Sequence, residues 1–208
     1  MPEKDWTSIV NQMAQARAHY EARHLLENDS VHPMDLTPNQ LLDQLNEPHR
    51  LVILVHKNSP TQFLAVWENN RRIYLNPKEA AGKERVQVST GYQYHVTKCT
   101  IRGDCYDTES PMGAFVVRAT YPYKDSTDYS SPSGIPIRMD WAINVVGGYY
   151  LHAPAANSDG SRPGTADLGS PASHGCIRVR LDNIHRLNQI VTAHRAEYGP
   201  DSAIVIIE

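Results

Sequence analysis

The run Ser173-His174-Gly175-Cys176-Ile177-Arg178 orders the rest of this chain. It sets an imidazole, a thiol and a guanidinium around a single glycine. His174 and Cys176 are two residues apart, so on an extended backbone both project to the same face. Gly175 between them lacks a Cβ and admits positive φ, which lets a ligand lie against backbone N–H groups. A thiol becomes a strong nucleophile where a base or a positive charge favours the thiolate, and a histidine with Arg178 supplies both. Upstream, Tyr149-Tyr150-Leu151-His152 closes a strand-like run on a second imidazole, followed by a polar loop. A base delivered to Cys176 from a neighbouring strand fits that order.

Each of these residues also has a plainer reading. Cys176 can be a buried thiol that fills space, and a histidine at a strand end is commonly an ordinary hydrogen-bonded side chain. His152, His174 and Cys176 also make a conceivable three-ligand zinc site with an open position, although their spacing follows no strong zinc pattern. Arg178 is either a surface partner of Asp182 or a fork for a substrate carboxylate. Tyr121, Tyr123, Tyr129, Trp141, Tyr149 and Tyr150 suit a core or sheet surface, while those between 121 and 129 suit the wall of a groove.

The scaffold around this run is mostly β. Leu51–Val55, Gln62–Trp67, Arg72–Leu75, Arg85–Ser89, Gly113–Arg118, Met139–Val146 and Tyr149–His152 are short β-prone stretches divided by Asn, Pro, Lys and Gly. Strands at this spacing predict a sandwich or barrel. Helices flank them. Residues 5–27 carry Trp6, Val10, Met13 and Tyr20 near helical spacing. Thr37 as cap, Pro38 at the first helical position and Gln40 predict a second helix that Pro48 stops. Asp182 is expected to cap a third, bearing Ile184, Leu187, Ile190 and Val191, before a buried strand at Ala203–Ile207. Residues 92–110, 121–136 and 153–172 read as long loops, the kind that serve as lids or binding loops.

At 208 residues the chain holds one domain with a core and a small appendage. The boundary falls between a helical segment at 1–48 and the mostly β domain at 49–208. A net charge of −3 with mixed signs, and no basic run beyond Arg71-Arg72, excludes nucleic acid as the main partner. Apolar runs such as Leu51–Val55 are far too short to span a membrane. The first residues carry no export signal, so the expected location is cytoplasmic if the chain is complete and the cell envelope if it is a mature form. Cys99 and Cys105 flank a short loop that a disulfide can close, which leaves Cys176 unpaired.

Taken together, these residues resemble the L,D-transpeptidase (YkuD) catalytic domain family. Its hallmark is a histidine, a variable loop and then Ser/Thr-His-Gly-Cys, matched by His152 and Ser173-His174-Gly175-Cys176. Leu168-Gly169-Ser170-Pro171 and Ile177-Arg178 extend the likeness. Ser89-Thr90-Gly91 and Ser110-Pro111-Met112-Gly113-Ala114-Phe115 are similar to two further family elements, so the resemblance runs from about Leu51 to Ile207. It implies a β-sandwich-like domain, mainly β with flanking helices, preceded by the helical segment. It implies no metal and no cofactor.

The activity implied is cleavage of the L,D bond before the terminal D-Ala of a peptidoglycan tetrapeptide stem. Cys176 is the expected nucleophile and His152 the expected base, its ring oriented by the Ala153 carbonyl; His174 is expected to support them. Spacing alone would favour His174 as the base. Ala153, Ser173, Gly175 and Arg178 are the expected substrate- and oxyanion-side residues. The N–H groups of Gly175 and Cys176 are natural oxyanion donors, worth ~3 kcal/mol each when preorganised. The acyl group then passes to an amine of a second stem (a transpeptidase), to water (an L,D-carboxypeptidase of recycling) or to a free D-amino acid. A non-catalytic peptidoglycan-binding module is the alternative of another class. Acylation of Cys176 by carbapenems is a further implication. The loop before Ser173 and the stretch from Gly91 to Ser110 are both long for the family, which bears on the acceptor.

Overall fold

Leu51–Val55 forms the centre of the molecule because both of its faces are covered. In strand β1 (Leu51–His56), Leu51, Ile53 and Val55 enter one apolar cluster while Val52 and Leu54 enter another. An unbroken apolar run is what a strand buried on both sides requires. The last strand, β14 (Ala203–Ile207), repeats the arrangement: Ala203, Val205 and Ile207 face one cluster, Ile204 and Ile206 the other. β14 pairs parallel to β1, with Leu51 opposite Ala203 and Val55 opposite Ile207.

The computed structural model describes residues 6–11, 38–92, 97–99, 105–130, 136–157 and 159–208. Around β1 lies a ten-stranded mixed sheet in the order β7-β14-β1-β2-β4-β13-β12-β11-β8, with β3 on β2. Its other members are β2 (Phe63–Glu68), β3 (Arg71–Ile73), β4 (Val86–Ser89), β7 (Gly113–Val116), β8 (Ala119–Thr120), β11 (Ile143–Val146), β12 (Tyr149–His152) and β13 (Ile177–Val179). The sheet curls until β11 approaches β7. Inside the curl, Leu64, Val66, Val88, Ile143, Leu151, Ile177 and Val179 meet Ile184, Leu187 and Val191 of α3 (Leu181–Tyr198). Among the described residues no helix is long and apolar enough to cross a membrane.

The second cluster lies on the outer face of β1, β2, β7 and β14. Residues 7–11 are helical, and α1 spans Pro38–Asn46. They lay Trp6, Ile9, Val10, Leu41 and Leu45 over Val52, Leu54, Ala65, Ala114, Ile204 and Ile206. Trp6 meets Trp67 edge-on at 6.2 Å and donates its indole N–H to Asn70. Residues 12–37, which hold the rest of the expected first helix and the Thr37 cap, lie outside the described residues. The short helix α2 (Pro77–Ala80) is capped by Asn76 and links β3 to β4.

Four expectations need correction. The run Met139–Val146 is not one strand: β10 (Pro136–Asp140) ends at Trp141, whose φ of +55° turns the chain before β11 begins. The stretch 121–136, expected to be a loop, contains β9 (Tyr123–Ser130), which pairs antiparallel with β10. Asp182 is not the cap of α3; it lies in the first turn, where its carboxylate favours the positive end of the helix dipole, and Arg180 holds the cap position. Within 92–110 the strands β5 (Thr97–Cys99) and β6 (Cys105–Asp107) pair so that Cys99 stands opposite Cys105. The sulfur bridge expected there concerns side chains outside the described ones.

Candidate active site

The candidate site is built where β12 and β13 run parallel, with Leu151 opposite Ile177 and His152 opposite Arg178. Leu151, Ile177 and Val179 point into the core, so strand alternation sends Tyr150, His152 and Arg178 to the other face, and Cys176 closes the turn that enters β13 directly before Ile177. The same alternation that fills the core therefore gathers the chemistry. Burial first, then the charges of Tyr121 and Cys176, push the phenol of Tyr150 above its ordinary value.

His152 is 7% exposed, and its Nδ1 lies 2.7 Å from the Ala153 carbonyl oxygen. A carbonyl only accepts, so Nδ1 carries the proton and Nε2 keeps its lone pair. Burial pulls the pKa of this imidazole down to about 4, with Arg178 and Arg162 pushing the same way against the Ala153 carbonyl and Asp140. At neutral pH the ring is an uncharged base with a fixed tautomer.

Cys176 is partly exposed, with Sγ 3.8 Å from the Gly148 carbonyl oxygen. The turn before it is tight. Ser173 donates its hydroxyl to the Cys176 carbonyl and accepts the Gly175 N–H at 3.2 Å. Gly175 has φ +108°, and a Cβ there would stand 2.4 Å from Cε1 of Tyr149. Glycine is required on both counts. His174 is also partly exposed, and its ring meets Tyr92 edge-on at 5.8 Å. Arg178 pairs with Asp167 at 3.6 Å, not with Asp182, and so ties β13 to the loop 153–172. Arg162 anchors the same loop through Asp140 and the Pro154 carbonyl. Among the described residues no group of three or more His, Cys, Asp or Glu is disposed to hold a metal ion.

The model of the L,D-transpeptidase (YkuD) catalytic domain matches residues 50–207, the span that supplies every strand of the curled sheet and both imidazoles. The chain belongs to this family. Among solved structures, L,D-transpeptidase 3 from Mycobacterium tuberculosis is 17% identical with a TM-score of 0.50, over 76% of this chain and 60% of that one. An L,D-transpeptidase from Mycobacterium smegmatis is 17% identical with a TM-score of 0.47, over 76% and 58%. One from Xylanimonas cellulosilytica is 21% identical with a TM-score of 0.45, over 78% and 62%. This chain spans about three-fifths of each of those chains. No curated protein matches it.

The family's outlying sequence elements frame the hallmark turn. Thr90 accepts the N–H groups of Ala172 and Ser173 at 3.0 and 2.9 Å, and Gly91 bridges Ser173 in parallel. Leu168-Gly169-Ser170-Pro171 docks through Gly169, which donates to Val88 at 2.7 Å and accepts from Gln62 at 2.8 Å. Nothing in the local sequence marks what lies beneath. Lys57 is 0% exposed, paired with Glu109 and bonded to the Ser110 carbonyl at 2.8 Å. Gln62 bonds the Lys57 carbonyl at 2.8 Å and takes the Thr90 N–H at 3.0 Å. A lysine just past an apolar strand reads as a solvated turn residue, so nothing local marks it.

Proposed function

We propose that this L,D-transpeptidase-family domain is a cysteine acyltransferase acting on peptidoglycan tetrapeptide stems. The observation that carries the reading is the Nδ1–H bond from His152 to Ala153, which leaves Nε2 as a neutral base on the strand that pairs with β13, whose first residue follows Cys176. Nε2 takes the thiol proton as Sγ attacks the carbonyl carbon of the L,D bond before the terminal D-Ala. The C–N bond breaks, the proton passes to the leaving amine, and a thioester remains on Cys176. An amine of a second stem attacks this thioester, the C–S bond breaks, and the proton returns to sulfur by way of His152.

The roles follow from this chemistry. Cys176 N–H is an oxyanion donor; the Gly175 N–H, which the Ser173 hydroxyl accepts, belongs with Ser173 to the scaffold of the turn. Ala153 fixes the base, Arg178 faces the stem's carboxylates from the neighbouring strand, and His174 lines the approach to the thiol. Residues 49–208 form the catalytic domain and 1–48 an appendage, whose described residues Trp6, Ile9, Val10, Leu41 and Leu45 cover the outer face of the sheet.

The test is incubation with a purified disaccharide-tetrapeptide, with Cys176→Ala alongside and the products read by mass. A cross-linked dimer with released D-Ala is the expected result, absent in the variant. Tripeptide with D-Ala and no dimer makes water the acceptor and the enzyme a carboxypeptidase. Activity that survives in Cys176→Ala would sink the assignment.

A further inference from the structure

The hydroxyl of Ser110 is buried at 0% exposure beneath the hallmark turn, and the direction of its hydrogen bonds is fixed. It accepts the Gly91 N–H at 2.8 Å and donates to the Gly175 carbonyl oxygen at 2.7 Å. An amide N–H can only donate and a carbonyl can only accept, so the single hydroxyl proton is directed at Gly175. The Gly175 carbonyl belongs to the same peptide unit as the Cys176 N–H. A donor on that carbonyl polarises the amide and makes its N–H a stronger donor.

The chain of bonds continues on the other side. The peptide that supplies the Gly91 N–H has its carbonyl on Thr90, which accepts from Ala172 and Ser173 at 3.0 and 2.9 Å. The sequence of dipoles thus runs from the start of the turn, through Thr90–Gly91 and the Ser110 hydroxyl, to the peptide that ends on Cys176. Each member strengthens the next. The contact is also close. A Cβ on Gly91 would lie 2.0 Å from the Thr108 oxygen, 2.7 Å from Ser110 N and 2.9 Å from Gly175 N. Lys57, fully buried, holds the Ser110 backbone carbonyl at 2.8 Å and pairs with Glu109, so the hydroxyl has a rigid support.

We propose that Ser110 is a positioning residue for acyl transfer: through the Gly175 carbonyl it aims and polarises the Cys176 N–H toward the oxyanion that forms on the substrate carbonyl. This rests on Cys176 being the acylated nucleophile. It does not touch substrate, and it has no part in generating the thiolate.

That division supplies the test. Attack on a β-lactam carbonyl develops an oxyanion, whereas alkylation by iodoacetamide, a displacement at a saturated carbon, develops none. Both rates are measured on the full chain across pH, for wild type, Ser110→Ala and the equal-volume pair Ser110→Thr and Ser110→Val. Ser110→Ala and Ser110→Val are expected to slow acylation by a carbapenem roughly tenfold to a hundredfold, less than the loss of a donor itself. Their alkylation rate and its pH profile stay those of wild type, and Ser110→Thr restores acylation. The Thr and Val pair carries the comparison if the alanine variant does not fold. Acylation unchanged in Ser110→Val, or acylation and alkylation falling together, overturns the proposal. Wild-type protein that is alkylated but never acylated overturns the reading of Cys176 instead.

Discussion

A buried neutral imidazole costs the fold more as the pH falls. The unfolded chain takes up a proton on His152 near the ordinary value of 6.5, while the folded chain takes it up only near about 4. The folded pKa is the lower one, so the stability linked to this group is complete above about 6.5 and lost as pH falls toward 4. The loss reaches about 3 kcal/mol. Denaturant titrations across that window should show this slope in wild type and its removal in His152→Gln; parallel curves would contradict it. The same ionisation sets the acid limb of the acylation rate, expected near pH 4 and not near 6.5. At Gly175 the expectation is steric. Gly175→Ala puts a Cβ against Tyr149 at a φ of +108°, displaces Cys176, and should cut acylation about a hundredfold in a protein that still folds, read by intact mass against time. Cys176 and His152 are legible in the sequence because their motif is short and local. Lys57 is not, because its burial depends on Glu109 and Ser110 closing over it from another part of the chain.

Between residue and molecule, the N-terminal helical pieces act as a cover for one face of the sheet. Leu45 is 2% exposed among Val52, Leu54, Ala65 and Ile204, so Leu45→Ala should destabilise the protein by about 2–5 kcal/mol in denaturant unfolding. The acylation rate of the folded fraction should stay at the wild-type value, because Cys176 and His152 sit at β12 and β13, elsewhere in the sheet. A variant equally stable with wild type would mean that the cover is dispensable. α1 is readable in advance from Pro38 and the spacing of Leu41, Leu42 and Leu45. The β9–β10 ribbon is not. Met139 is its only buried hydrophobic residue among the described ones and Tyr123 is 51% exposed, so no apolar alternation marks the strands. The break at Trp141 is hidden for a related reason: a large aromatic gives no local warning of positive φ.

At the scale of the whole molecule the chain closes on itself. β14, the final strand, lies between β7 and β1, and all five of its residues are buried. The sheet has no centre until β14 is in place. Deletion of 203–208 should therefore abolish the folded state, seen as loss of near-ultraviolet dichroism and of amide protection; a folded truncation would contradict the topology. The apolar run Ala203–Ile207 announces a buried strand, but its parallel partner is set by packing across the entire chain and leaves no trace in local pattern. That closure also brings the frame at Thr90–Gly91 and Ser110 under the turn that ends on Cys176. The most direct test of Cys176 as the acylated nucleophile is intact-protein mass after exposure to a carbapenem, for wild type and Cys176→Ala. One adduct of the drug's mass is expected on wild type and none on the variant. An unmodified wild type, or an equal adduct on Cys176→Ala, would contradict it.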